Sequence, residues 1–158
     1  MYKSDRRNFL KTAGKTGLSL TLAYTLLKPS SLFAAAGAWD EKSFQAKKLD
    51  EAMKSIGAGT YEKSDAVKII APEIAENGAV VPFSVDSTVA DTDSIYILVE
   101  NNPSPLAASF EFANGAKPFV GTRIKMGRTS NVYAVVRAKG KFYVSSQEIK
   151  ITLGGCGG

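Results

Sequence analysis

From residue 66 onward the sequence breaks into seven short β-rich runs, each closed by turn residues. The run at 67–71 stops at Pro72, and 79–89 follows Asn77-Gly78. The run at 94–100 stops at Asn101-Asn102-Pro103, and 107–113 stops at Asn114-Gly115. After these, 118–126 ends at Gly127, 131–138 ends at Lys139-Gly140-Lys141, and 142–153 leads into the C-terminal tail. Short strands at even spacing, with Asn-Gly and Lys-Gly turns between them, predict an all-β fold, an antiparallel β-sandwich over 58–153. Two runs, 95–99 and 132–136, are almost continuously apolar and are predicted to be central strands.

The segment before the strands has a different period. Leu49, Ala52, Met53 and Ile56 follow the i, i+3, i+4, i+7 spacing of an amphipathic helix, with Phe44 preceding them and charges between. One helix over 40–56 is predicted, within an N-terminal segment 39–57, capped by Asp40 and ended by Gly57. The stripe reads as a surface packing on the domain.

The first 38 residues read as a cleavable export signal. Arg6 and Arg7 stand ahead of Phe9-Leu10-Lys11, a mildly apolar stretch covers 16–27, and small residues close the segment at 34–38. The apolar core is too short for a membrane span. Paired arginines, a core diluted by Ser19, Thr21 and Thr25, and Lys28 after it resemble a twin-arginine (Tat) leader. Asp5 departs from that pattern where Ser or Thr is usual. Cleavage is predicted after Ala36 or Ala38, giving a periplasmic protein with no membrane attachment.

Removing the leader changes the electrostatics. The chain has 20 basic and 15 acidic residues, and the leader holds six of the first and one of the second. The remainder is neutral, so the high isoelectric point belongs to the leader and points to no nucleic-acid partner. The stretch Arg123-Ile124-Lys125-Met126-Gly127-Arg128 alternates like the solvated face of one strand. About 120 residues remain, enough for one domain with a single core.

Cys156 is the only cysteine, and it stands in a Gly154-Gly155-Cys156-Gly157-Gly158 tail. Four glycines around one thiol favour a flexible arm with nothing to bury it. An exported compartment permits disulfides, yet no second cysteine offers an internal bridge. The chain also has no histidine. That removes the usual general base, the commonest metal ligand and every Cys-His or Ser-His nucleophile arrangement. From a strand ending at Leu153, the thiol reaches on the order of 10 Å.

The thiolate is the nucleophile, and an unperturbed thiol titrates near 8.5. Lys150 is six residues away, and the Gly158 carboxylate is a like charge that favours the neutral form. Such a tail suits a covalent carrier whose partners bring the activating groups. An interchain Cys156–Cys156 staple, an inert terminal thiol and a fraying polyglycine end are the bland alternatives. A thiol enzyme would need a base or cation beside Cys156, and an adhesive sandwich would use the thiol only to dimerise.

Four segments carry a family resemblance: 71–82 (APEIAENGAVVP), 98–110 (LVENNPSPLAASF), 122–127 (TRIKMG) and the terminal GGCGG. With the Tat-like leader, they resemble SoxY, the sulfur carrier of periplasmic thiosulfate-oxidising (Sox) systems. The resemblance implies an immunoglobulin-like sandwich that forms a heterodimer with a second small β-protein, SoxZ. It implies no enzymatic activity in this chain and gives Cys156 the carrier role on a swinging arm of Gly154, Gly155, Gly157 and Gly158. Partner enzymes would act on it in turn: a haem enzyme (SoxAX), a dimanganese hydrolase (SoxB) and, where present, a molybdenum-haem enzyme (SoxCD). Haem, manganese and molybdenum would belong to those partners and none to this chain.

Overall fold

The computed structural model describes residues 41–113 and 115–153. The chain divides into two units, Met1–Ala38 and Trp39–Gly158, and all described residues belong to the second. Where one helix is predicted, the structure has two short ones, α1 (Glu41–Gln45) and α2 (Leu49–Ser55). Phe44 and Leu49 are five residues apart, roughly 140° out of register on a straight helix. The break at 46–48 lets both pack on the same cluster. Ser104 donates its hydroxyl to the Phe44 carbonyl and so ties the end of α1 to the loop at 100–105. Asp40, the predicted cap, lies outside the described residues.

Gly57 ends α2 as the sequence predicts. Its φ is +87°, its N–H donates to the Lys54 carbonyl at 3.0 Å, and the Ala58 N–H reaches back to the Met53 carbonyl at 2.8 Å. This is the Schellman pair, which needs a left-handed residue after the last turn.

Nine strands follow: β1 (Glu62–Lys63), β2 (Val67–Ile70), β3 (Ile74–Asn77), β4 (Val81–Ser87), β5 (Thr92–Val99), β6 (Leu106–Glu111), β7 (Phe119–Ile124), β8 (Ser130–Ala138) and β9 (Lys141–Leu153). One sheet has the order β1-β9-β8-β5-β6, with β3 also on β9; the other is β2-β4-β7. The predicted sandwich is present, with strands at all seven predicted runs. Two short strands add to it. β1 and β3 pair with β9 in parallel, at Glu62↔Tyr143 and Ile74↔Lys150. Neither carries a readable pattern: β1 has two exposed residues, and β3 buries only Ala75. The chain leaves one sheet at Ile70 and joins the other at Ile74, and Pro72 sits in the crossing.

The runs 95–99 and 132–136 fall on β5 and β8, two of the inner strands of the larger sheet. Their continuous apolarity has a geometric cause. Ile95, Ile97, Val99, Val132, Ala134 and Val136 face the core between the sheets, against Phe83, Val85 and Ile149. The alternate residues Tyr96, Leu98 and Val135 face a second core, closed by Met53, Ile56 and Ala52 of the helical segment. Side chains alternate between faces, so a strand covered on both sides loses its polar positions. Each fully buried Ile, Leu or Val contributes roughly 1.5–3 kcal/mol.

Candidate functional site: the root of the C-terminal arm

β9 is the longest strand, and its last residues run beyond the end of β8. The ladder with β8 closes at Ser130↔Ile149, after which β3 takes over: Ala75 pairs with Ile151 and Asn77 with Leu153. Successive amides of a strand point to opposite edges, and each edge here is held. The Lys150 N–H donates to the Glu73 carbonyl at 2.9 Å. The Ile151 N–H donates to Thr129 Oγ1 at 3.0 Å. The described chain is therefore anchored up to Leu153.

Thr129 belongs to the β7–β8 loop, which is itself fixed from two directions. Asn102 donates through Nδ2 to the Lys125 carbonyl at 2.7 Å and accepts the Gly127 N–H at 3.2 Å. Asn101 donates to the Thr129 carbonyl at 3.1 Å. From the other side, the Met126 N–H donates to the Gly78 carbonyl at 2.6 Å. Gly78 lies so close that a Cβ there would stand 2.2 Å from the Met126 carbonyl oxygen and 3.2 Å from Ile151 Cγ2. The β3–β4 turn, the β5–β6 loop and the β7–β8 loop thus converge on the end of β9.

Cys156, with Gly154, Gly155, Gly157 and Gly158, lies outside the described residues, as do Arg6 and Arg7. What the structure brings together is the support around the end of β9. Asn101, Asn102, Thr129 and Gly78 are the positioning residues that sequence reading missed. The Asn-Asn-Pro and Asn-Gly steps signalled turns, but nothing local showed what those turns touch.

Two of the three perturbed titrations lie away from this root. Asp93 accepts from Arg137 Nε at 2.5 Å and raises the guanidinium, which also donates to Ser94. Asp91 raises Lys139 through a 2.8 Å contact. Both pairs sit where β5 starts and β8 ends, at the opposite end of the sandwich. Tyr133 is raised by burial first and then by the Glu100 carboxylate. Among the described residues no group of three or more acidic, cysteine or histidine side chains could hold a metal ion. No described helix is long and apolar enough to cross a membrane.

The class the fold defines is a two-sheet β-sandwich whose last strand is clamped on both edges just ahead of the Gly-Gly-Cys-Gly-Gly sequence. Comparison with known proteins gives the family. The family model for sulfur oxidation protein SoxY matches residues 52–156, and the chain belongs to that family. The structure titled "Structure of the sulfur carrier protein SoxY from Chlorobium limicola f thiosulfatophilum" matches with a TM-score of 0.61 and 40% identity, over 67% of this chain and 97% of that one. A chain of the toxic shock syndrome toxin-1 T-cell recognition structure matches with a TM-score of 0.36 and 8% identity, which bears on nothing here. Curated proteins gave no match.

Proposed function

We propose that this chain is a periplasmic covalent sulfur carrier, exported by the Tat pathway, with Cys156 as the attachment point. The observation that carries the reading is the doubly anchored end of β9 directly before the Gly-Gly-Cys-Gly-Gly tail. Family membership supports it, and the carrier named in the structural match supplies the class of cargo.

The chemistry starts with thiosulfate. A partner oxidase removes two electrons as Cys156–SH and thiosulfate join, giving Cys156–S–S–SO3⁻ and one proton. A hydrolase then adds water across the terminal S–S bond, releasing sulfate and a proton and leaving a persulfide. The chain lacks histidine, so activation of water and acceptance of electrons fall to the haem and manganese enzymes SoxAX and SoxB. A SoxCD-like enzyme would oxidise the remaining sulfane sulfur, and SoxZ would be the stable partner of the sandwich. A Gly-flanked thiol fits this division of labour, because side chains beside it would obstruct a narrow entrance.

The test is the intact mass of the chain after incubation with thiosulfate and its oxidising partner. A thiosulfonate adduct on the C-terminal peptide is expected, and Cys156→Ser should remove it while leaving the thermal unfolding unchanged. An unmodified wild-type mass would overturn the reading.

A further inference from the structure

The geometry points to the end of β7 and the β7–β8 loop as a cationic rest for the anionic cargo on Cys156, a site formed by Arg123 of β7 with Lys125 and Arg128 of the loop. This deepens the carrier reading and rests on it for the identity of the cargo. All three cations are exposed, and none has an ion pair among the described residues, where the two pairs are Arg137–Asp93 and Lys139–Asp91. Lys117, the next cation along the chain, instead stacks over the Phe119 ring at 5.6 Å.

An exposed loop of charged residues is ordinarily loosely held. This one is held by its backbone and by the buried Met126 side chain: Asn102 grips Lys125 and Gly127, Gly78 grips Met126, and Asn101 grips Thr129. The arginine and lysine side chains take no part in that framework and remain available. The same loop holds the arm, through Thr129 to the Ile151 N–H. The strand is held to Leu153, and the three residues on to Cys156 span about 10 Å, which brings the thiol within range of the loop that holds Ile151.

Charge on the other side of the exit points the same way. β3 carries Glu76 next to the pairing of Asn77 with Leu153, Glu73 precedes it, and Glu148 lies on β9. Lys150 is the one cation among them. A negative tail is thus repelled from the β3 side and attracted to the loop side. The tail's charge depends on its load. A free thiol near neutral pH is mostly uncharged, whereas a thiosulfonate adds one full negative charge beside the Gly158 carboxylate. The cations therefore act on the loaded arm more than on the empty one. Exposed charges act over about 8–10 Å at 0.1–0.15 M salt, which matches the reach of the arm.

The test compares two thiol reagents on the reduced full chain. 5,5′-Dithiobis(2-nitrobenzoate) is a dianion at pH 7, and 4,4′-dithiodipyridine is neutral. In both, the Cys156 thiolate attacks one reagent sulfur, a mixed disulfide forms and one aromatic thiolate leaves. The ratio of their rate constants reports the potential at Cys156 and cancels differences in arm exposure. In Lys125→Glu/Arg128→Glu the ratio should fall about threefold or more at 0.1 M salt and return toward wild type at 1 M. Lys68→Glu/Lys141→Glu changes net charge equally on other elements and should move the ratio by less than half as much. An unchanged ratio in the loop variant, or an equal fall in the control pair, overturns the proposal. Neither reagent is a thiosulfate product, so a missing thiosulfate adduct would refute the carrier reading without altering this result.

Discussion

Gly78→Ala tests the root of the arm most directly. A Cβ there would stand 2.2 Å from the Met126 carbonyl oxygen, whereas carbon and oxygen settle at roughly 3.3 Å or more. About 1 Å must open between the β3–β4 turn and the β7–β8 loop. The obstacle is backbone, so no rotamer change relieves it, and Ile151 Cγ2 at 3.2 Å blocks a sideways shift. Overpacking of this kind costs about 1–3 kcal/mol. Opening also lengthens the 2.6 Å bond from the Met126 N–H to the Gly78 carbonyl, worth about 0.5–1.5 kcal/mol. Together they come to about 2–4 kcal/mol, or a fall in Tm of roughly 8–15 °C for a domain of this size. Gly127→Ala is the internal control. A Cβ at Gly127 meets nothing within 4 Å, and its φ is not positive, so its Tm should stay within about 2 °C of wild type. Thermal unfolding followed by circular dichroism measures both. If Gly78→Ala lost less than about 3 °C, the close approach would not be a packed contact, and the argument for a rigid root would fail.

Two further substitutions separate local from global effects. Thr129→Val keeps the shape and removes the acceptor of the Ile151 N–H; the site is exposed, so the cost should be about 1 kcal/mol, with Tm barely moved. Hydrogen exchange should show about fivefold faster exchange at the Ile151 amide and unchanged exchange in β5, and equal protection in both variants would deny the clamp. Tyr133 has its folded pKa raised above the ordinary 10.0, so its contribution to stability is complete below pH 10 and is lost as pH rises through the folded value. Urea denaturation should show stability falling above pH 10, and Tyr133→Phe should flatten that fall. An identical alkaline slope in the two proteins would rule out the burial and Glu100 effects assigned to this phenol.

The sandwich was legible because most of its strands announce themselves. Val81, Phe83 and Val85 alternate with polar partners, and Lys139-Gly140 forms a two-residue hairpin loop with both φ values positive, 50° and 74°. The double-sided burial of β5 and β8 was legible as unbroken apolarity. The break between α1 and α2 was less so: Phe44 stands outside the 49, 52, 53, 56 stripe, but no turn residue at 46–48 marks where one helix ends and the next begins. β3 was missed for a physical reason: its stability comes from pairing with a strand some 75 residues away, not from apolar periodicity of its own. Thr129 and Asn102 were invisible for the same cause. An exposed Thr and a loop Asn have many possible partners, and only the tertiary path selects Ile151 and Lys125.

That tertiary path explains why the four segments of family resemblance, scattered through the sequence, belong together. The first holds β3 and Gly78, the second holds Asn101, Asn102 and the Ser104 that ties α1 to its loop, and the third holds Lys125, Met126 and Gly127. All three meet around the end of β9, where the fourth begins. A core alone would not demand this, since interiors accept many apolar sets of similar volume and pattern. In the proposed carrier, a tail that leaves from one place, in one direction, demands specific backbone contacts at its exit. Glycine is needed where two backbones nearly touch, and asparagine where one side chain must both donate to and accept from the same loop. The recognisable residues of this sandwich therefore concentrate around the end of β9, the strand that directly precedes the Gly-Gly-Cys-Gly-Gly sequence.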